Sequence, residues 1–327
     1  MTTLGSTLLG LGTYRPVRIV PNREIADRLG TTEEWITRRT GIQERRWAND
    51  KESVAMMGTA AAEEAIAAAA IPAASIDCII VATISSLRQT PAVAPEIAHL
   101  LGANGTQAFD INTACAGFCS GIALADSLVR SRTAQYVLVI GAERMTDITD
   151  PDDHQLAPLF ADGAGAAVVG PCADDGIGPV VWGSQGSLRQ VVQQADPWPS
   201  ARGEQAAALV HTLRMQGTSL FQWVLNTVPE IACQATAAAG LTLTDIDVFV
   251  PHQANLRITQ ELIHRLDLRD DVIVAATITD HGNTSGASIP QALTALHREG
   301  RLHPGSRALL LGFGAGLSYA AQVVRLP

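Results

Sequence analysis

A cysteine lies where a short apolar segment passes into a helical pattern. Residues 109–118 read Phe-Asp-Ile-Asn-Thr-Ala-Cys-Ala-Gly-Phe, which puts Cys115 in a turn of small residues before a long helix. Free N–H groups and the positive end of the helix dipole stabilise a thiolate at such a position. The pattern therefore predicts a lowered pKa and a nucleophilic thiol at Cys115. The structural alternative is a small cysteine that packs behind the helix.

Three other segments carry groups that could act together with a thiol. His252 follows the apolar residues 248–251 and precedes a helix, at the carboxyl end of a strand, where α/β proteins bind ligands. Asn283 lies in a small, polar segment, and its amide could hydrogen-bond to an oxyanion. Gly314 and Ala315 belong to a glycine-rich loop whose N–H groups can converge on an anion. Each segment also has a structural interpretation: a core histidine, a turn asparagine and a tight loop.

The elements that must position these residues occur twice in the chain. A helical segment leads to an Ile-Asp pair and an apolar strand within residues 59–81, and the same order recurs within residues 228–250, 170 residues further on. A Gly-Ala-Gly motif with an apolar strand also occurs twice, in residues 163–169 and 314–324. The two repeats, found in the same order, predict a duplicated fold.

The fold class follows from the apolar runs. Continuous apolar runs predict strands that are buried on both faces of a sheet covered by helices, which is the α/β class; they lie at 79–82, 136–140 and 308–311. Helical patterns lie between them, at 93–101, 117–131, 219–239 and 255–266. We divide the halves at 1–175 and 176–327. The stretch 184–214 has little periodicity and is interpreted as an insertion or a flexible cap.

Composition excludes several classes of protein. The 327 residues are 47% apolar and 17% charged, which is typical of a folded protein. The net charge of −9 argues against a nucleic-acid partner. Apolar runs stay below about 18 residues, and no secretory leader is recognisable, so we expect a cytoplasmic protein without a membrane partner. Five cysteines without a C-x-x-C pair argue against a disulfide framework and a metal site.

Together, these segments resemble the β-ketoacyl-acyl-carrier-protein synthase III family of the thiolase superfamily. Cys115, His252 and Asn283 fall on the family's Cys-His-Asn triad, at separations of 137 and 31 residues. The resemblance covers nearly the whole chain and includes further motifs at 10–14, 34–36, 39–42 and 160–166. It implies a thiolase-like fold, which is a duplicated five-layer αβαβα sandwich, and a homodimer.

The resemblance also implies a decarboxylative Claisen condensation that starts a fatty acid or polyketide chain. Cys115 would take the acyl group of an acyl-CoA, and backbone N–H groups of Cys115, Gly314 and Ala315 would hold the oxyanion. Malonyl-acyl carrier protein would then lose CO₂, while His252 and Asn283 hydrogen-bond to the carbonyl of the resulting enolate. The product would be a β-ketoacyl thioester. No cofactor is expected, because acyl-CoA is a substrate.

Further substrate contacts follow from the same resemblance. Trp35, Arg39 and Phe160 lie in family motifs, and we assign them to substrate and CoA binding. We assign His154 to the same site, where family members commonly have an arginine that sandwiches the CoA adenine with Trp35. Thr90 stands where acetyl-selective members often have a Phe that closes the acyl pocket of the partner subunit. A deeper acyl pocket is therefore expected.

Carrier-protein docking requires local positive charge. Carrier proteins are acidic, so an enzyme with a net charge of −9 needs a basic patch to bind one. Arg257 and Arg265, on the helix after His252, are the candidates. The alternative is that both are solvated charges on an exposed helix face.

Two other functions remain open from the sequence. The first is acyl transfer from Cys115 to an alcohol or amine acceptor without decarboxylation. The second is a non-catalytic partner subunit that keeps the fold for dimerisation, against which the intact triad weighs. A hydrolase with His252 as the base is less well suited, because Asn283 is not the acidic partner that orients a basic histidine.

Overall fold

A computed structural model describes residues 5–194 and 212–327 of the chain. Its strands are, in chain order, β1 (Gly5–Tyr14), β2 (Arg18–Pro21), β3 (Glu44–Trp47), β4 (Cys78–Ala82), β5 (Gln107–Ile111), β6 (Val137–Arg144), β7 (Asp162–Cys172), β8 (Val181–Ser184), β9 (Val192–Gln194), β10 (Leu213–Met215), β11 (Val248–Pro251), β12 (Ile273–Val274), β13 (Arg307–Gly314) and β14 (Ser318–Arg325). Its α-helices are α1 (Asn22–Leu29), α2 (Glu33–Thr40), α3 (Val54–Ala68), α4 (Val93–Leu100), α5 (Gly117–Arg130), α6 (Gly217–Ala238), α7 (Leu256–Leu266), α8 (Ile278–His281) and α9 (Ser288–Arg298).

Two five-stranded sheets share one topology. The first has the order β1-β7-β6-β4-β5, and the second has the order β8-β14-β13-β11-β12. In both, the last three strands are parallel to one another and the first two pairings are antiparallel. The strands that carry the repeated motifs, β4 with β11 and β7 with β14, occupy equivalent positions. The predicted duplication is therefore present, and the division at 175/176 falls between β7 and β8.

The sheets and helices stack in five layers. Helices α3 and α4 cover the outer face of the first sheet, and α6 and α7 cover the outer face of the second. Helices α5 and α9 lie between the sheets, where apolar side chains from both sheets and both helices form one continuous core. Every residue of β4 is buried, because helices cover both of its faces. The thiolase-like αβαβα fold is confirmed.

Local sequence explains where the helices next to the site begin. The side chain of Asn255 caps α7 by accepting the N–H of Arg257 at 2.9 Å, and Ile258, Leu262 and Leu266 face the core. The helix α5 instead follows a short 3₁₀ turn, Ala114–Ala116, without a side-chain cap. The four helices predicted from periodicity agree with α4, α5, α6 and α7 to within two residues.

The stretch 184–214 is more regular than its sequence suggested. It contains a 3₁₀ helix at Gly186–Val191, and β9 pairs with β10 in a two-stranded antiparallel sheet. The interpretation as an insertion or a flexible cap stays a prediction, and residues 195–211 lie outside the described residues. Within the described ranges, no helix has the length and hydropathy needed to cross a bilayer.

Candidate active site

Strands of both sheets have their carboxyl ends beside one cavity, whose volume is about 690 Å³. Cys115, His252 and Asn283, which lie far apart in the sequence, all line it, together with Gly314 and Ala315. The first half of the chain contributes the cysteine and the second contributes the histidine, asparagine and glycine-rich loop. The cavity thus brings together the four segments that the sequence singled out.

Cys115 lies at the inner end of the cavity, in the turn between β5 and α5. The preceding residue, Ala114, has a φ of +48°, a left-handed conformation that is unfavourable for residues with a side chain. The Sγ of Cys115 lies 3.5 Å from the Oγ of Ser285. Opposite it, a Cβ on Gly314 would lie 2.9 Å from Cys115 Cβ and 3.0 Å from Sγ. Only glycine at position 314 leaves room for the thiol.

The pKa of Cys115 differs from the sequence-based prediction. Burial raises the pKa of the thiol to about 12, and the negative charge of Glu143 acts in the same direction. Hydrogen bonding with Ser285 and with the residue's own backbone N–H lowers the pKa, but by less than burial raises it. The prediction of a lowered pKa is therefore wrong for the free protein, because the loss of hydration outweighs the hydrogen bonds that favour the thiolate. Burial thus favours the thiol form of Cys115 in the free protein.

His252 is a neutral hydrogen-bond donor. Only 2% of the residue is exposed, and burial lowers the pKa of its ring to about 3. Its Nδ1 lies 2.7 Å from the Oγ of Ser288, which also accepts the backbone N–H of Gln253 at 3.3 Å. The Ser288 hydroxyl can donate its proton to Nδ1, and in that arrangement the ring proton of His252 is on Nε2. Phe313 packs against the ring edge-on, with centroids 5.5 Å apart.

Asn283 is held by its backbone and presents its amide to the cavity. Its N–H donates to Leu159 O at 2.8 Å, and its carbonyl accepts the N–H of Ala161 at 3.0 Å. The side-chain Oδ1 accepts the N–H of Ser285 at 2.9 Å, whereas Nδ2 makes only a long bond of 3.4 Å to Ala254 O. The alternative role of Asn283, a side-chain hydrogen bond within a turn, is therefore present at Oδ1. The Nδ2 group retains hydrogen-bonding capacity toward a ligand.

The glycine-rich loop has a backbone that suits its sequence. Gly316 has a φ of +127°, a region that residues with a side chain avoid, whereas Ala315 stays outside that region. The alanine at the centre of Gly314-Ala315-Gly316 is therefore tolerated without strain. Both Gly314 and Ala315 line the cavity beside Cys115.

The mouth of the cavity carries the other predicted contacts. Trp35, Arg39 and His154 line it, and the guanidinium of Arg39 lies 4.7 Å from the centroid of the Trp35 ring. This cation–π contact occupies one face of the ring. Phe160 is 6% exposed and lines the cavity wall. Thr90 does not line this cavity; it is exposed in the segment between β4 and α4.

The two arginines proposed for docking differ in their surroundings. Arg257, in the first turn of α7, is exposed at the mouth and forms no ion pair with any described residue. Arg265 lies two turns further on, pairs with Glu261 at 2.9 Å and donates to Leu225 O at 3.2 Å. Only Arg257 lines the cavity.

Three polar residues near the triad were not identified from sequence. Ser285 and Ser288 contact the side chains of Cys115 and His252, and Glu143 lies buried behind Ser285. The two serines belong to the small, polar segment that was noted for Asn283. Glu143 follows the apolar residues of β6, and a carboxylate at the end of a buried strand is the signal that could have indicated it.

Comparisons with known proteins identify relatives over the whole chain. Family models for 3-oxoacyl-[acyl-carrier-protein] synthase III match residues 109–186 and, for its C-terminal part, residues 236–326. A β-ketoacyl-[acyl-carrier-protein] synthase III of Streptomyces glaucescens is 47% identical over 320 residues, which cover 98% of this chain and 96% of the relative. The crystal structure of the priming β-ketosynthase from the R1128 polyketide biosynthetic pathway is 43% identical, with a TM-score of 0.95 over 99% of this chain and 96% of that one. A synthase III from Aquifex aeolicus VF5 is 34% identical, with a TM-score of 0.92 over 98% of this chain and 100% of that one.

Proposed function

This chain belongs to the β-ketoacyl-[acyl-carrier-protein] synthase III family, and on that premise we propose that it condenses an acyl-CoA starter with malonyl-acyl carrier protein. The reaction is a decarboxylative Claisen condensation that starts a fatty acid or polyketide chain. The observation that carries the proposal is the meeting of a buried thiol, a neutral imidazole and a side-chain amide in one cavity. A histidine without an acidic partner suits enolate stabilisation better than activation of water.

The first half-reaction transfers the acyl group to the protein. The sulfur of Cys115 attacks the thioester carbonyl, and backbone N–H groups of Cys115, Gly314 and Ala315 stabilise the tetrahedral oxyanion. Collapse of this intermediate breaks the bond to the CoA sulfur, and CoA leaves as a thiol, so that the proton lost by Cys115 ends on the CoA sulfur. A thioester on Cys115 remains.

The second half-reaction forms the carbon–carbon bond. His252 Nε2–H and Asn283 Nδ2–H donate to the thioester carbonyl of malonyl-acyl carrier protein, so that loss of CO₂ leaves an enolate rather than an unstabilised carbanion. The enolate carbon attacks the acyl carbonyl on Cys115. The Cys115 thiolate leaves and regains a proton, and the product is a β-ketoacyl thioester on the carrier.

The proposal also covers the cofactor requirement, the oligomeric state and the location of the protein. Thioester exchange and decarboxylation from a thioester require no cofactor, so none is proposed. We also propose a homodimer in which each subunit's Thr90 segment reaches the other's acyl pocket; the exposure of Thr90 outside its own cavity supports this arrangement. A cytoplasmic location remains part of the proposal.

Product analysis across a panel of starters tests the function. The protein is incubated with malonyl-acyl carrier protein and straight or branched acyl-CoAs, and the carrier-bound products are identified by mass spectrometry. A β-keto product two carbons longer than the starter is expected. Labelled acyl-CoA separates the other candidates: label on the protein without condensation favours transfer to an alcohol or amine, and no label favours a non-catalytic subunit.

We expect Arg257→Glu to raise the apparent KM for malonyl-acyl carrier protein about fivefold and to weaken its dependence on salt. The reason is that an exposed, unpaired cation at the mouth attracts an acidic carrier through screened Coulomb interactions. Steady-state kinetics at two ionic strengths measure both effects, and single-turnover acylation by acyl-CoA should change little.

Arg132→Glu is the matched control for this substitution. Arg132 is exposed beyond the far end of α5, about 20 Å along that helix from the cysteine turn, and the net charge changes equally. An equal rise in KM for both variants, or equal damage to both half-reactions of Arg257→Glu, contradicts docking at α7.

We expect C4 to C8 acyl-CoAs to acylate Cys115 faster than acetyl-CoA, and Thr90→Phe to reverse this order. Each additional buried methylene is worth about 0.8 kcal/mol, so two to four of them favour the longer starter by about ten- to a hundredfold in kcat/KM. A Phe ring in the place of Thr90 would fill that volume from the partner subunit. Competition between acyl-CoAs of different length, read by intact-protein mass spectrometry, measures the order.

Thr133→Phe controls for the addition of an exposed aromatic ring. Thr133 is exposed and follows α5, at the end opposite to Cys115. A native protein that prefers acetyl-CoA to every longer starter shows that Thr90 does not set the depth of the pocket.

A further inference from the structure

A fully buried guanidinium lies next to the loop that carries Asn283. Arg45, in β3, is 0% exposed and forms no ion pair with any described carboxylate. Its Nη1 donates to Asn22 Oδ1 at 2.7 Å, and its Nη2 donates to Pro158 O at 2.7 Å. A buried cation without an acidic partner destabilises a fold unless its N–H groups are used. The two short bonds offset that cost, and the second joins residues that are 113 positions apart in the sequence.

Asn22 fixes the orientation of this guanidinium. Its Nδ2 donates to Ile42 O at 2.6 Å, which leaves its Oδ1 to accept the bond from Arg45. The carbonyl of Val20 accepts a longer bond from the same Nη1, at 3.4 Å. Because the guanidinium is planar and rigid, these contacts on one side direct Nη2 at the carbonyl of Pro158.

The segment 158–161 contributes three residues to the cavity wall and supports Asn283. Leu159 O accepts the N–H of Asn283 at 2.8 Å, and the N–H of Ala161 donates to Asn283 O at 3.0 Å, so that the two chains pair as in a short parallel sheet. The carbonyl of Pro158 directly precedes this pairing. The bond from the guanidinium to that carbonyl therefore fixes the chain one residue before the first hydrogen bond that holds Asn283.

The residue before Asn283 also packs against Arg45. Gly282 has a φ of +69°, and a Cβ at this position would lie 2.9 Å from the Cβ of Arg45. Directly before β3, the N–H of Gln43 donates to Thr279 O in α8, at 2.7 Å. Arg45 thus contacts both stretches of backbone that fix Asn283, and it does not itself line the cavity.

We propose that Arg45 is a positioning residue that acts through Asn283 in the second half-reaction. This inference rests on the proposed function and deepens it. By fixing the Pro158 carbonyl and packing against Gly282, the guanidinium and its stem hold the Asn283 amide toward the thioester carbonyl of the malonyl group. The nucleophile lies in the turn between β5 and α5, and the oxyanion-binding loop begins at the end of β13. Loss of Arg45 should therefore slow decarboxylation and leave acylation nearly unchanged.

The test compares the two half-reactions in Arg45→Met and Arg45→Lys. Acylation is measured as single-turnover transfer from a labelled acyl-CoA, and decarboxylation as release of labelled CO₂ from saturating malonyl-acyl carrier protein by protein that is already acylated. Arg45→Met should release CO₂ about 10- to 100-fold more slowly, since misplacing a catalytic group by about 1 Å has an effect of this size. Its acylation rate should stay within about threefold of native. Arg45→Lys keeps the charge but has one nitrogen in place of the fork, so its rate of CO₂ release should lie between those of native and Arg45→Met.

The same substitutions in Asn283→Ala separate positioning from a general loss of structure. If Arg45 acts through the amide, Arg45→Met should slow CO₂ release by no more than about twofold once the amide is absent, whereas independent effects would multiply. Arg130→Met is the matched control. Arg130 also joins distant segments, with bonds to Asp126 at 2.6 Å and to Ile177 O at 3.0 Å, but it lies at the far end of α5. Its loss should leave the ratio of the two rates unchanged.

Thermal unfolding followed by circular dichroism establishes that each variant folds, and Arg45→Lys carries both comparisons if Arg45→Met does not fold. Equal slowing of the two half-reactions in the folded variants overturns the role of Arg45, and so does a full multiplication of the losses in the double variant. A native protein that takes no acyl group and releases no CO₂ instead contradicts the proposed function itself.

Discussion

Cys115→Ala is expected to abolish acyl-enzyme formation and to lower condensation by at least about a thousandfold. The loss is this large because no other described thiol lines the cavity, and the methyl group of alanine cannot form the covalent intermediate. Intact-protein mass spectrometry after incubation with acyl-CoA detects the acyl adduct directly. Condensation is measured from the carrier-bound product.

Decarboxylation should survive in Cys115→Ala. That step depends on the hydrogen-bond donors of His252 and Asn283, which the substitution leaves in place. Cys233→Ala, which removes an exposed thiol on α6, serves as the control. Condensation by Cys115→Ala above about a hundredth of the native rate contradicts a covalent route.

Much of the fold could be predicted because the same order of helix, link and strand occurs twice in the sequence. The Ile-Asp pairs stand directly before β4 and β11, which occupy equivalent positions in the two sheets. Both strands are buried on both faces, so their sequences are almost entirely apolar. A parallel strand that helices cover on both faces requires apolar residues at nearly every position. The exceptions are β9 and β10, which pair with each other although they are well separated in the sequence, and local periodicity does not encode such a pairing.

The chemistry of the site was less predictable than its location. Strand ends and small-residue turns indicated Cys115, His252 and Asn283, because such positions follow from local sequence. The pKa of the thiol did not follow, because it depends on burial beneath the second half of the chain and on Glu143 from another strand. The hydrogen-bond partner of His252 Nδ1 is Ser288, 36 residues away. Such contacts exist only once the layers are packed.

His252 offers a test of whether the second half-reaction uses a donor or a base. A base would have to take up a proton, and burial holds the pKa of this ring near 3, far below its usual value. A donor needs only the Nε2–H that Ser288 favours by hydrogen-bonding to Nδ1. The amide of a glutamine can supply an N–H in place of Nε2–H, whereas leucine fills the same volume without any donor. The two substitutions therefore separate the roles.

We expect His252→Leu to lower decarboxylation of malonyl-acyl carrier protein by about 10²- to 10³-fold, the usual effect of removing one oxyanion donor, and His252→Gln to retain about ten times more activity than His252→Leu. Acylation of Cys115 should stay within a few-fold of native in both, since the imidazole is assigned to the second half-reaction. The native rate should show no inflection attributable to His252 between about pH 5 and 8, because the ring is already neutral above its lowered pKa of about 3. Release of labelled CO₂ across this pH range measures the step. If decarboxylation instead shows an inflection near the ordinary histidine pKa that vanishes in His252→Gln, or if the two variants lose activity equally, His252 does not act as a neutral donor.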